Sequence, residues 1–122
     1  MGQERGQSLV EIALILPIIL LMLAITFDIG REMTVDMDVV HAAREASWVA
    51  SQPYGTVGAA QNAARAALAD AGLDPARATV TVVVRPIGQP VEATVSYVYD
   101  PLMPILPVGP ITIQARNTAV RW

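Results

Sequence analysis

The chain has no cysteine, so neither a disulfide nor a thiolate metal site is open to it. Its one histidine, His41, has no second histidine with which to build a metal shell. A Ser–His–Asp site would have to use that same residue, which stands beside Arg44 and Glu45 on a predicted helix surface. No G-x-S-x-G elbow and no phosphate-cradling glycine loop occurs. The net charge of −3 supplies no basic stripe of the kind that neutralises nucleic acid phosphates. A single phenylalanine leaves any core to be built mainly from Val, Ile, Leu and Ala. These absences exclude most catalytic classes. The expectation is a chain that is not an enzyme, holds no metal or cofactor, and has no nucleic acid partner.

What the chain has instead is one long apolar run near its start. Residues 9–27, LVEIALILPIILLMLAITF, carry a single full charge, Glu11. As a helix at 1.5 Å per residue the run spans just under ~30 Å, one hydrocarbon core. A carboxylate at the centre of such a helix costs ~2.5–3.5 kcal/mol, and less toward the interface. Glu11 lies near the end, so burial alone leaves two readings open: a functional acid, or a side chain that reaches back to the headgroups. Pro17 removes one rung of the helix, the bond from its own missing N–H to the Ala13 carbonyl. Membrane helices tolerate this. Pro17 and Gly30 are the two places where a helix here would bend.

Residues 1–6 are polar, and Arg5 favours a cytoplasmic start under the positive-inside rule. An ordinary cleavable secretory signal shares this outline. The run is long for one, contains Glu11, and ends without a small-x-small site. Beyond it the flank is mostly acidic, with Asp28, Glu32, Asp36 and Asp38 against Arg31.

Helical spacing continues past the run through Ile29, Met33, Met37, Val40, Ala43 and Ala50. One helix is therefore predicted from about Ser8 to Ser51, with that stripe facing inward. Pro53, Tyr54 and Gly55 break it. Thr56 is placed to cap a second helix over residues 57–71, and Gly72 stands where a helix-ending glycine belongs. Its Ala60, Ala64, Ala67, Leu68 and Ala71 share one face.

The period then changes to two. Residues 79–85 place Val80, Val82 and Val84 on one side. Residues 91–99 place Val91, Ala93, Val95, Tyr97 and Tyr99 on one side and Glu92, Thr94 and Ser96 on the other. The two runs flank a turn at residues 87–89 and predict an antiparallel hairpin. Residues 100–110 carry four prolines among apolar side chains and are predicted to cover hydrophobic surface, of the same sheet or of a neighbour. Residues 111–120 form a third strand with Ile111, Ile113 and Ala115 inward. The predicted class is α+β: a membrane-spanning helix over residues 7–27, then a head over residues 28–122. The head holds the helix extension to residue 51, the second helix, and a three-stranded antiparallel sheet within residues 79–120.

The junction RG|QSLVE puts Glu11 five residues after the bond between Gly6 and Gln7. This resembles the class III signal of type IV pilin-like precursors. The longer string RGQSLVEIALILPIILLMLAITFDIGRE is similar to the TadE-like pseudopilins of the tight-adherence (Flp-type) pilus system. The shared steps fall on Arg5-Gly6, Val10-Glu11, Leu16-Pro17 and Gly30-Arg31-Glu32, with HAAREAS at residues 41–47 as a further match. The resemblance implies a leader over residues 1–6, cut between Gly6 and Gln7 by a prepilin peptidase. It implies a single-pass subunit of the bacterial cytoplasmic membrane, N-terminus inside and head outside, later incorporated into an extracellular filament with other pilin or pseudopilin subunits. In such a stack Glu11 of one chain neutralises the new α-amino group on Gln7 of its neighbour. Two features depart from ordinary type IV pilins: Gln7 in place of a bulky apolar residue, and no C-terminal cysteine pair. The alternative is a membrane-anchored accessory or binding protein that does not polymerise, in which Gly6 and Glu11 are incidental.

Overall fold

The computed structural model describes residues 2–101 and 109–122, and its architecture is the expected α+β one. Helix α1 runs from Gly2 to Ser51 and α2 from Val57 to Asp70. A 3-10 turn at Pro75–Arg77 leads into strands β1 (Ala78–Val83), β2 (Pro90–Tyr99) and β3 (Ile111–Val120). The strands form an antiparallel meander in the order β1-β2-β3. The outer half of α1 packs against β2 and β3, while α2 packs on α1 and toward β1.

α1 begins at Gly2, about two turns before the expected start at Ser8. Residues 2–6 contain no breaker stronger than glycine, which costs only ~1 kcal/mol relative to alanine. Glu4 in the first turn also suits the positive end of the helix dipole. The helix is continuous through Pro17 and Gly30.

The inward face of α1 keeps Ala43 and Ala50 of the expected stripe and otherwise differs from it. Ile29, Met33, Met37 and Val40 are exposed, and the buried stripe is Val35, Val39, Ala42, Ala46 and Ala50, joined by Ala43, Ser47 and Ser51. This face must receive a helix and a sheet at once. Close approach on two sides favours alanine and short β-branched side chains over methionine. Ser47 donates to the Arg44 carbonyl at 2.9 Å and accepts from Asn117 Nδ2 at 2.7 Å, which joins the helix to β3. Ser51 donates to the Trp48 carbonyl, so both buried hydroxyls are satisfied.

α2 buries Ala60, Ala64 and Leu68, whereas Ala71, expected on the same face, is exposed as the residue that ends the helix. Thr56 caps the start by accepting from the Ala59 amide at 3.1 Å. At the other end the Gly72 and Leu73 amides donate to the Ala69 and Leu68 carbonyls. This is the paired closure that needs a left-handed residue, and Gly72 supplies it with φ 81°. Gln61 Nε2 donates to the Val80 carbonyl and fastens α2 to the edge strand.

β2 buries Val91, Ala93, Val95, Tyr97 and Tyr99, as its alternation requires. β1 stops at Val83 rather than Arg85. In its register Pro90 would face Arg85 and has no amide to give. The Arg85 carbonyl instead accepts from Arg121 Nη1 at 3.1 Å. Arg121 also donates to the Pro53 carbonyl, and the Trp122 amide donates to the Ser51 carbonyl, so the end of β3 is tied to the end of α1. Residues 102–108 of the proline-rich stretch lie outside the described residues.

Candidate functional site

Two regions of α1 carry what the head does not use: the apolar half with the polar turn before it, and the segment where helix meets sheet. From Leu9 to Leu23 every large apolar side chain is exposed, by 42–69 %, and no part of the most apolar stretch is buried. Removing a dozen such side chains from water is worth on the order of 20 kcal/mol, at ~1.5–3 kcal/mol for each one fully buried. α1 is long and apolar enough to cross a membrane.

Gly6, Gln7 and Glu11 lie in the first turns of this helix, all exposed. Gln7 and Glu11 are one turn apart and share a face. Among the described residues the ion pairs are Arg77 with Asp100 and Arg116 with Glu92, both on the head, so Glu11 takes part in neither. A side chain at Gly6 would meet nothing within 4 Å, and the same holds at Gly30. The fold of a single chain therefore asks for glycine at neither position, although each costs ~0.5–1 kcal/mol within a helix. Pro17 lies in the exposed run, three turns from Gly6.

Residues 6–48 match the model of the family described as TadE-like protein. Over this stretch the chain is similar to that family. The match begins at the glycine of the predicted cleavage bond, runs through the apolar half, and ends inside the buried stripe of α1. It leaves α2 and the sheet outside its bounds. No curated protein and no solved structure matches the chain.

The Gly30-Arg31-Glu32 step of the TadE-like segment is where the stalk meets the sheet. Burial pushes the Tyr99 phenol above its usual range, opposed by the nearby Arg31 guanidinium and reinforced by Asp28 and Glu32. Its hydroxyl makes no well-formed hydrogen bond among the described residues, and Arg31 is the neighbouring group that offers it both charge and a donor. Sequence reasoning placed Tyr99 inward but not against Arg31. The available signal was its position as the last inward residue of β2, at the end of the sheet that faces residues 28–32. The Arg77 guanidinium, on the adjoining turn, is raised by its hydrogen bond and ion pair to Asp100.

Proposed function

We propose that this protein is a structural, non-catalytic subunit of the tight-adherence pilus system. In this reading it is a pilin-like pseudopilin held in the cytoplasmic membrane with its head outside, then incorporated into a filament or its base or tip. Its leader is removed between Gly6 and Gln7 by a prepilin peptidase. The observation that carries the reading is an apolar half-helix that its own chain leaves wholly uncovered, inside a TadE-like segment that opens at Gly6. Lipid covers such a surface before assembly, and the same helices of neighbouring subunits cover it afterwards. Glu11 then pairs with the α-amino group freed on a neighbour's Gln7, and Pro17 and Gly30 supply points at which the packed helix bends.

Cleavage is tested at Gly6. Packing within the chain does not require glycine there, so Gly6→Val leaves the fold of the head intact and acts on the peptidase alone. Intact mass should show wild type beginning at Gln7 and the variant retaining its leader. A Gly6→Val chain that still begins at Gln7 overturns the class III assignment. Wild type that retains residues 1–6 in the presence of the peptidase returns the chain to the anchored, non-polymerising alternative.

A further inference from the structure

Within the head, the face of α1 turned away from its own sheet and second helix is apolar, where an amphipathic helix would be polar. The core-facing residues are Val35, Val39, Ala42 and Ala46. On the other side stand Thr26, Gly30, Met33, Met37, Val40 and Arg44, all exposed, with Met33 at 64 % and Met37 at 70 %. Their spacing alternates between four residues and three. The same alternation runs back into the apolar half through Leu23, Ile19, Leu16 and Ile12, each also exposed. Asp28, Arg31, Glu32, Asp36, Asp38 and Glu45 all fall off this line, and only Arg44 brings a charge onto it. Such a repeat averages about 3.5 residues per turn, which is the seam of a left-handed helix pair.

We propose that this seam pairs α1 with α1 of a second copy of the chain, parallel and in register, from the membrane into the head. Three observations select that occupant. The seam crosses the boundary of the span. With residues 9–27 in hydrocarbon, Val40 lies ~20 Å beyond Phe27, out of reach of lipid. A partner confined to water is equally excluded, because Met33, Met37 and Val40 alone fall short of the ~800 Å² per partner of a stable interface. The partner is therefore a helix that leaves the membrane alongside α1. Next, the seam is narrow at Thr26 and Gly30 and wide at Met33 and Met37. Equal depths meet in a parallel pair, so a second copy sets small residues against small ones and methionine against methionine. Finally, a side chain at Gly30 would meet nothing within the single chain, whereas glycine on a seam lets two helix backbones approach closely. Arg44 is the kind of polar seam residue that fixes register at a cost in stability.

The inference rests on α1 being a membrane span, and its test separates the two. The chain lacks cysteine, so each introduced thiol reports one contact. Full-length Leu23→Cys, Met37→Cys, Asp36→Cys and Asn62→Cys would each be placed in phosphatidylcholine vesicles and oxidised with copper phenanthroline. Leu23 and Met37 lie on the seam, Asp36 beside it at the depth of Met37, and exposed Asn62 on α2. The expected result is disulfide-linked dimers from positions 23 and 37, with 36 and 62 left monomeric. Gly30→Leu added to the Met37→Cys chain should abolish the dimer and leave the tryptophan emission of the head unchanged. Position 37 left monomeric in protein that resists extraction by alkaline carbonate overturns the seam and leaves the span, whether or not 23 is linked. Equal linkage at 36 and 37 means that the helices meet on no fixed face and overturns it too. A dimer that survives Gly30→Leu removes the close approach and with it the pairing. Protein stripped from the vesicles by carbonate overturns the span and the inference together.

Discussion

At the scale of single residues, glycine is used for opposite reasons along this chain. Gly6 and Gly30 have open space where a side chain would be, whereas a Cβ at Gly55 would lie 2.3 Å from the Val49 carbonyl oxygen and 2.8 Å from that of Ala50. The chain turns back at Gly55 directly over the last turn of α1, with its amide bonded to the Gln52 carbonyl. Gly55→Ala should force loop and helix end apart and cost ~1–3 kcal/mol, the usual range for overpacking. Trp48 and Trp122 form an aromatic pair, ring centroids 6.4 Å apart, near this junction and report on it by fluorescence. Denaturant unfolding of full-length protein in detergent should show a lower midpoint for Gly55→Ala. An unchanged midpoint would mean that the loop yields freely and that Gly55 carries no packing role.

At the scale of elements, legibility followed side-chain periodicity and failed where two partners compete for one face. The sheet was readable because β2 alternates without exception from Val91 to Tyr99, and a strand allows only one inward set. Thr56 and Gly72 marked α2 because caps act locally. The face of α1 was legible at Ala43 and Ala50 but not at Met33 and Met37, because bulk is not the sign of burial on this face. Met33 and Met37 are larger and more apolar than Ala42 and Ala46, but helix and sheet packed on the same two turns leave room only for the alanines. Alanine spacing at 42, 43, 46 and 50 was the signal. The ties of Arg121 and Trp122 to the ends of α1 and the α1–α2 loop were not legible, since they join residues far apart in sequence through backbone carbonyls. Of the site, the order of motifs around Gly6 and Glu11 was readable, while the meeting of Arg31 and Tyr99 depends on how the sheet lies on the helix. The same crowding makes α2 dependent on one anchor. Leu68 is the only large side chain it buries fully, beside Ala60 and Ala64. Leu68→Ala should cost ~2–5 kcal/mol. Amide exchange should then rise across residues 57–70 before it rises in β2, and uniform exchange in both would mean that α2 is no separate weak unit.

At the scale of the whole molecule, the two ends of α1 obey different solvents. The outer half is buried by the chain's own sheet and second helix, and the inner half is left bare for lipid or other helices. A carboxylate in the bare half has no partner among the ion pairs of the described residues, and whatever compensates Glu11 in a helix bundle must come from another chain. In the assembly proposed, that group is the α-amino group of a neighbour's Gln7, which exists only after the leader is cut. Glu11→Ala should therefore leave membrane insertion intact, because it removes a charge from an apolar helix. Leader removal should also persist, because the bond between Gly6 and Gln7 is unchanged. Incorporation should fail, since an ammonium would enter the bundle without its counter-charge, and breaking a buried pair from one side costs ~3–5 kcal/mol. Intact mass would establish cleavage of the variant, and the ratio of sheared extracellular to membrane-bound protein would measure incorporation. Wild-type recovery outside the cell would remove the pairing role and leave Glu11 as a side chain that reaches the headgroups. An uncut variant would move its role to recognition by the peptidase. A cut variant confined to the membrane is the result the pairing requires.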